Sequence, residues 1–162
     1  LIAARDTFGV KRQIFFVSLG GFDTHTNELA THLNLLGQVD SALRSFYDAT
    51  VALGVADKVT TFTQSDFGRT FKPAAGGGSD HAWGNHHLIL GGAVKGGAMY
   101  GTFPDLTLGG GDDVSNEGRW LPTTSVDQYA ATLASWLGAT SSQLATVLPN
   151  LVAFSVKNLG FV

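Results

Sequence analysis

Residues 13–19, QIFFVSL, are apolar at nearly every position and end in Gly20-Gly21. A short continuous apolar run closed by glycines predicts a strand covered on both faces, the usual state of a strand inside a parallel sheet. From Asn27 to Leu53 the pattern changes period. Leu29, Leu33, Leu36, Val39, Leu43 and Phe46 recur at steps of three and four, which predicts one long amphipathic helix stopped at Gly54. KVTTFTQ, residues 58–64, is β-branched and aromatic and predicts a second strand. Strand, helix and strand at this spacing imply a right-handed parallel crossover. The fold class expected is therefore α/β, a mostly parallel sheet with flanking helices.

Beyond residue 64 the periodicity stops. SDFGRTFKPAAGGGSDHAWGN, residues 65–85, is a long polar and glycine-rich loop, and loops of that length inside a domain are usually functional or disordered. HHLILGGAV resumes a strand, and residues 98–122 read as an acidic-tipped excursion. SVDQYAATLASWLG predicts a helix capped by Ser125 and closed by Gly138, and SSQLATVLPNL a shorter one. No internal repeat or interdomain linker interrupts residues 1–162, so a single domain unit is expected.

Composition narrows the partners. Charged residues are 14% of the chain and the net charge is −3, with no Lys/Arg cluster to attract nucleic acid or an anionic membrane. No apolar stretch is long enough for a membrane span. The chain has no cysteine, so a metal site here has to be built from histidine and carboxylate. The chain opens at Leu1 in mid-pattern, which suggests a fragment or a processed product.

In parallel α/β sheets, ligands sit beyond the carboxyl ends of the strands. Three polar clusters fall there: Asp23 and His25, Ser65 to Thr70, and Asp80 to His87. Aspartate with histidine suits a divalent ion. Blander readings stand beside this one. Asp23 suits an Asx-turn or a helix cap, Asp66 and Arg69 suit a structural ion pair, and His32 suits an ordinary surface position. His86 and His87 are adjacent on a strand, where side chains alternate, so packing or supporting roles are expected of them. Asp80 and Asn85 suit the orientation of histidine rings. The acidic stretch GGGDDVSNEG lacks EF-hand spacing and reads as a solvated turn.

GGFDTH, VTTFTQSDFGRT and GGGSDHAWGNHHLILGGAVKGG followed by YG resemble a bacterial family of unknown function, often carried on proteins with twin-arginine export signals and grouped with the alkaline phosphatase and sulfatase superfamily. The resemblance implies an alkaline phosphatase-like fold, of which this chain is a C-terminal portion, and a periplasmic or secreted location. It implies a metal-dependent hydrolase of small phosphate or sulfate esters, with a non-catalytic exported binding or envelope-associated protein as the alternative. Asp23, His25, Asp66 and His81 stand where the superfamily holds its metals, and Arg69 is placed to neutralise charge on the transferred group. The implied ion is divalent, zinc first, with calcium, magnesium and manganese as alternatives. The first ligand pair is more tightly spaced than is usual in that superfamily, and Phe67 stands where a histidine often follows the acid. The superfamily's nucleophile has no counterpart in these residues, and the oligomeric state is left open.

Overall fold

A computed structural model describes all 162 residues. Its regular elements are helices α1 (Arg5–Phe8), α2 (Glu28–Ala52), α3 (Val126–Leu137) and α4 (Ser141–Val147), and strands β1 (Thr60–Phe62), β2 (Gly68–Arg69), β3 (His81–Ala82) and β4 (Ile89–Gly91). Three short 3-10 turns join them. None of the helices is long and apolar enough to cross a membrane.

The strands correct the expected sheet. β1 pairs with β4 and β2 with β3, each as a separate two-stranded antiparallel unit, so this is not a mostly parallel α/β sheet and not an alkaline phosphatase-like one. The physical reason lies in residues 13–19. Their composition suits a doubly covered strand, but residues 11–21 make no backbone hydrogen bond at all. Without a ladder partner there is no strand, and without that strand there is no parallel crossover into β1. Phe16 is 91% and Val17 89% exposed, so neither face of the segment is covered.

The core lies at the other end of the chain. Tyr129 and Leu133 of α3 pack with Phe161, with Ile89 of β4, Leu159 and Val162 around them. α3 forms where the sequence places it. The Ser125 hydroxyl accepts the Asp127 N–H, Gln128 reaches back to the Ser125 N–H, and Gly138 closes the helix at φ 103°, a backbone angle that glycine adopts without a Cβ clash. Thr132, fully buried, donates to the Gln128 carbonyl and accepts the Leu159 N–H, which ties the C-terminal segment to the helix. The Tyr129 hydroxyl donates to the Thr63 carbonyl, and burial pushes its pKa up to about 12.

α2 runs over Glu28–Ala52, close to the helix that the apolar period predicts, yet Leu29, Leu33 and Leu36 on it are exposed. The molecule exposes 10553 Å². A compact 17.0 kDa monomer exposes about 7,700 Å² by the size scaling of folded proteins, so the uncovered apolar surface on residues 14–19 and α2 is a large feature of the molecule.

The acidic excursion folds around one carboxylate. Asp113 is buried and accepts the backbone N–H groups of Gly109, Ser115, Gly118 and Arg119 at 3.0–3.1 Å. Burial acts to raise its pKa, but the four donors outweigh that and hold it at about 2. This tip is an ordered carboxylate-centred turn rather than a solvated one.

Candidate metal centre

The loop of residues 65–85 and the turn after Gly21 are locked together by backbone. Thr26 and Gly77 form an antiparallel bridge, the Asn27 and Glu28 N–H groups donate to the Gly76 and Gly77 carbonyls, and the Ser79 N–H donates to the Thr24 carbonyl. The first turn of α2 thus finds acceptors in a glycine loop. The approach is so close that a Cβ on Gly78 would fall on the His25 carbonyl. This is the physical use of the glycine run: it lets residues 79–81 lie directly against residues 23–26.

Three of the four metal-ligating candidates meet as a result. Asp23, His25 and His81 each offer a ligand atom, and these atoms all lie within 4.8 Å of one another. Asp23 Oδ1 is 3.1 Å from His25 Nε2 and 2.8 Å from His81 Nε2. Zinc–ligand bonds of about 2.0–2.1 Å in a tetrahedron put donor atoms about 3.3 Å apart, so the two separations from Asp23 are close to those of a zinc site. All three side chains are about half exposed, which leaves a side open for a further ligand. Asp66, the fourth candidate, is exposed on the loop after β1 and stands outside the group.

The rings are held from behind. His25 Nδ1 faces Asp80 Oδ1 at 3.3 Å, so a hydrogen on Nδ1 is given to a carboxylate and Nε2 is left for an ion. The His81 ring lies flat on Phe67, with centroids 3.9 Å apart and planes 7° from parallel, and the two imidazoles stack at 5.2 Å. The hydrogen bond from His81 lowers the Asp23 carboxyl below its ordinary pKa. Burial opposes this, while the charge of His81, the hydrogen bond from Arg69 and the charge of His25 add to the lowering. An ionised Asp23 is what metal ligation needs.

Arg69 lies against this group, but its donors face protein. Nη1 donates to Asp23 Oδ1 at 3.2 Å, Nε to Ser79 Oγ at 3.0 Å, and Nη2 to the Ser79 and Thr24 carbonyls. It makes no contact with Asp66; its acidic partners are Asp23 and Glu28. Asn85 donates to the Phe67 carbonyl rather than to a histidine. His86 stacks on Phe103 and His87 on Tyr129, with burial and then His86 lowering the pKa of His87. His32, read from sequence as a surface residue, is partly buried and bonds Thr24 Oγ1 at 2.9 Å. Sequence alone does not assign Glu28 or Ser79 to the site; Glu28 lies three residues after GGFDTH and Ser79 lies inside GGGSDH, and that nearness is the signal that points to them.

The family described as Protein of unknown function (DUF1501) matches the chain over residues 1–146. The chain belongs to that family. The match spans the Asp23, His25 and His81 group described above. No curated protein and no solved structure matches the chain.

Proposed function

We propose that Asp23, His25 and His81 hold a divalent cation, zinc first, and that the site serves hydrolysis of small phosphate or sulfate esters in a protein exported from its host cell. The observation that carries this reading is the convergence of two imidazoles and one carboxylate from two distant chain segments onto one point. The donor set fits the ion: neutral nitrogen and carboxylate oxygen, no thiolate, and an open side. Held there, the ion supplies Lewis acidity toward a phosphoryl or sulfuryl oxygen. The chain's own part is to hold the Asp23 carboxylate with the Arg69 guanidinium, to turn the His25 ring with Asp80, and to fix the His81 plane with Phe67. The resemblance of GGFDTH and SDFGRT to a family grouped with the phosphatase and sulfatase superfamily supports the ester class.

One observation favours a second reading, a non-catalytic binding protein. Each nitrogen of the Arg69 guanidinium donates to protein and the side chain is 15% exposed, so most of its donors are directed into the chain rather than toward a transferred group. The deciding experiment is calorimetric zinc titration of the protein beside an Asp23→Ala/His81→Ala double variant, followed by turnover of p-nitrophenyl phosphate and p-nitrophenyl sulfate. Zinc bound by the parent alone, with turnover that follows occupancy, supports the hydrolase. Zinc binding without turnover moves the protein to the second reading, and equal zinc in both proteins removes the site.

A further inference from the structure

Two segments far apart in sequence carry the metal-ligating side chains, residues 23–25 and residue 81, and one side chain bonds to both. Arg69 Nη2 donates to the Thr24 carbonyl, between the two ligands of the first segment, and to the Ser79 carbonyl at 2.7 Å, two residues before the ligand of the second. Its Nε takes Ser79 Oγ at 3.0 Å, and its Nη1 takes Asp23 Oδ1, the oxygen that both histidines face. Behind it Glu28, in the first turn of α2, accepts the Ser79 hydroxyl at 2.5 Å and stands 3.6 Å from the guanidinium. The Arg69 side chain is 15% exposed and that of Glu28 23%, against 59% for Asp23, so the pair sits inside the ligand layer.

We propose that Arg69 and Glu28 form a positioning clamp that sets the separation of Asp23 and His25 from His81, and that this clamp, rather than contact with a substrate anion, is the function of Arg69. The inference rests on the metal reading above and deepens it. Guanidinium suits the task because its five donors lie in one rigid plane, so four acceptors on two segments are held at fixed angles. An ammonium carries the same charge but cannot span Thr24, Ser79 and Asp23 at once. Glu28 supplies the negative charge that a partly buried guanidinium needs, and it fixes the Ser79 hydroxyl as an acceptor for Nε.

The test uses zinc calorimetry and cobalt absorption on the parent, Arg69→Lys, Glu28→Gln and Ser79→Ala proteins, with thermal unfolding of each in the absence of metal. Outer groups that orient metal ligands typically change affinity by about 10–100-fold, so Arg69→Lys is expected to weaken zinc binding by about that factor. Glu28→Gln and Ser79→Ala are expected to weaken it in the same direction. At saturating cobalt, the visible band of Arg69→Lys is expected to differ in position and intensity from that of the parent, because the ligand geometry has changed. A role confined to fold stability would lower the unfolding midpoint and leave the band of the loaded protein unchanged, which overturns the clamp. Zinc affinity equal to the parent's in all three variants also overturns it, while leaving the metal site in place. A parent that binds no zinc or cobalt removes the metal reading itself, and the clamp falls with it.

Discussion

Arg69 and His81 stand directly opposite each other in the antiparallel pair β2–β3, and both side chains reach the same oxygen of Asp23, at 3.2 and 2.8 Å. Opposed residues of an antiparallel pair point to one face. A register slip of one residue would turn His81 to the other face, so a two-residue ladder decides whether the site exists. The same dependence applies to the glycine loop that precedes β3.

Gly78→Ala tests that loop. Its Cβ would collide with the His25 carbonyl, which is backbone and has no rotamer to yield. The expected result is a loss of stability of about 1–3 kcal/mol, typical of overpacking, and zinc affinity at least tenfold weaker. Gly96→Ala, where a Cβ meets nothing within 4 Å, is expected to change neither and serves as the control. Calorimetry and thermal unfolding measure both, and parent-like behaviour of Gly78→Ala would show that the close approach is not needed.

Asp113→Asn is expected to destabilise the protein, because the new amide turns N–H donors toward backbone N–H donors that the carboxylate accepted. The carboxyl sits at about 2 in the folded protein, below its ordinary 3.8. The ionised group therefore stabilises the fold at pH above roughly 4, and that contribution is lost as pH falls toward 2. Thermal midpoints measured between pH 7 and pH 2 should show a gap between parent and variant that is widest near neutrality and closes in acid. A gap independent of pH would assign the effect to shape rather than charge.

Thr132→Val keeps the volume of a fully buried side chain and removes its hydroxyl. The Leu159 N–H is then left without its acceptor, a cost of about 1–3 kcal/mol. Urea unfolding should show it as a lower midpoint with unchanged slope, and exchange of the Leu159 amide should accelerate. An unchanged midpoint would mean that the C-terminal segment is held by Phe161 packing alone.

Residues 13–19 supply the fourth prediction. Their backbone groups have no internal partner and Phe16 is almost fully exposed. Hydrogen exchange of the purified chain should be fast at Phe15–Val17 and slow at Ala131–Leu133 in α3. Phe16→Ser should change stability by less than about 0.5 kcal/mol, as for a surface position, while reducing the binding of an apolar dye. Protected amides at Phe15–Val17 would show that the segment has found a strand partner.

Local patterns carried much of this protein. The 3.6-residue period and the cap residues Ser125, Gln128 and Gly138 determine α3 almost to the residue, because capping and amphipathic packing act over a few neighbours. The α2 span was legible from the apolar period alone, although Asn27 makes no side-chain cap and Leu29, Leu33 and Leu36 stay exposed, and the chemical type of Asp23, His25 and His81 was legible too. Strand pairing was not. β1 and β4 lie 27 residues apart and pair antiparallel, and the apolar run at 13–19 has no ladder, because hydrogen bonding between strands is decided by which edges meet in space. The part played by Arg69 was equally hidden. Its sequence neighbour Asp66 suggested an ion pair, whereas the folded chain presents Asp23, Thr24, Ser79 and Glu28 to the guanidinium. Residue type set what each side chain was able to do; the close approach at Gly78, which folds one distant segment onto another, decided which side chains meet.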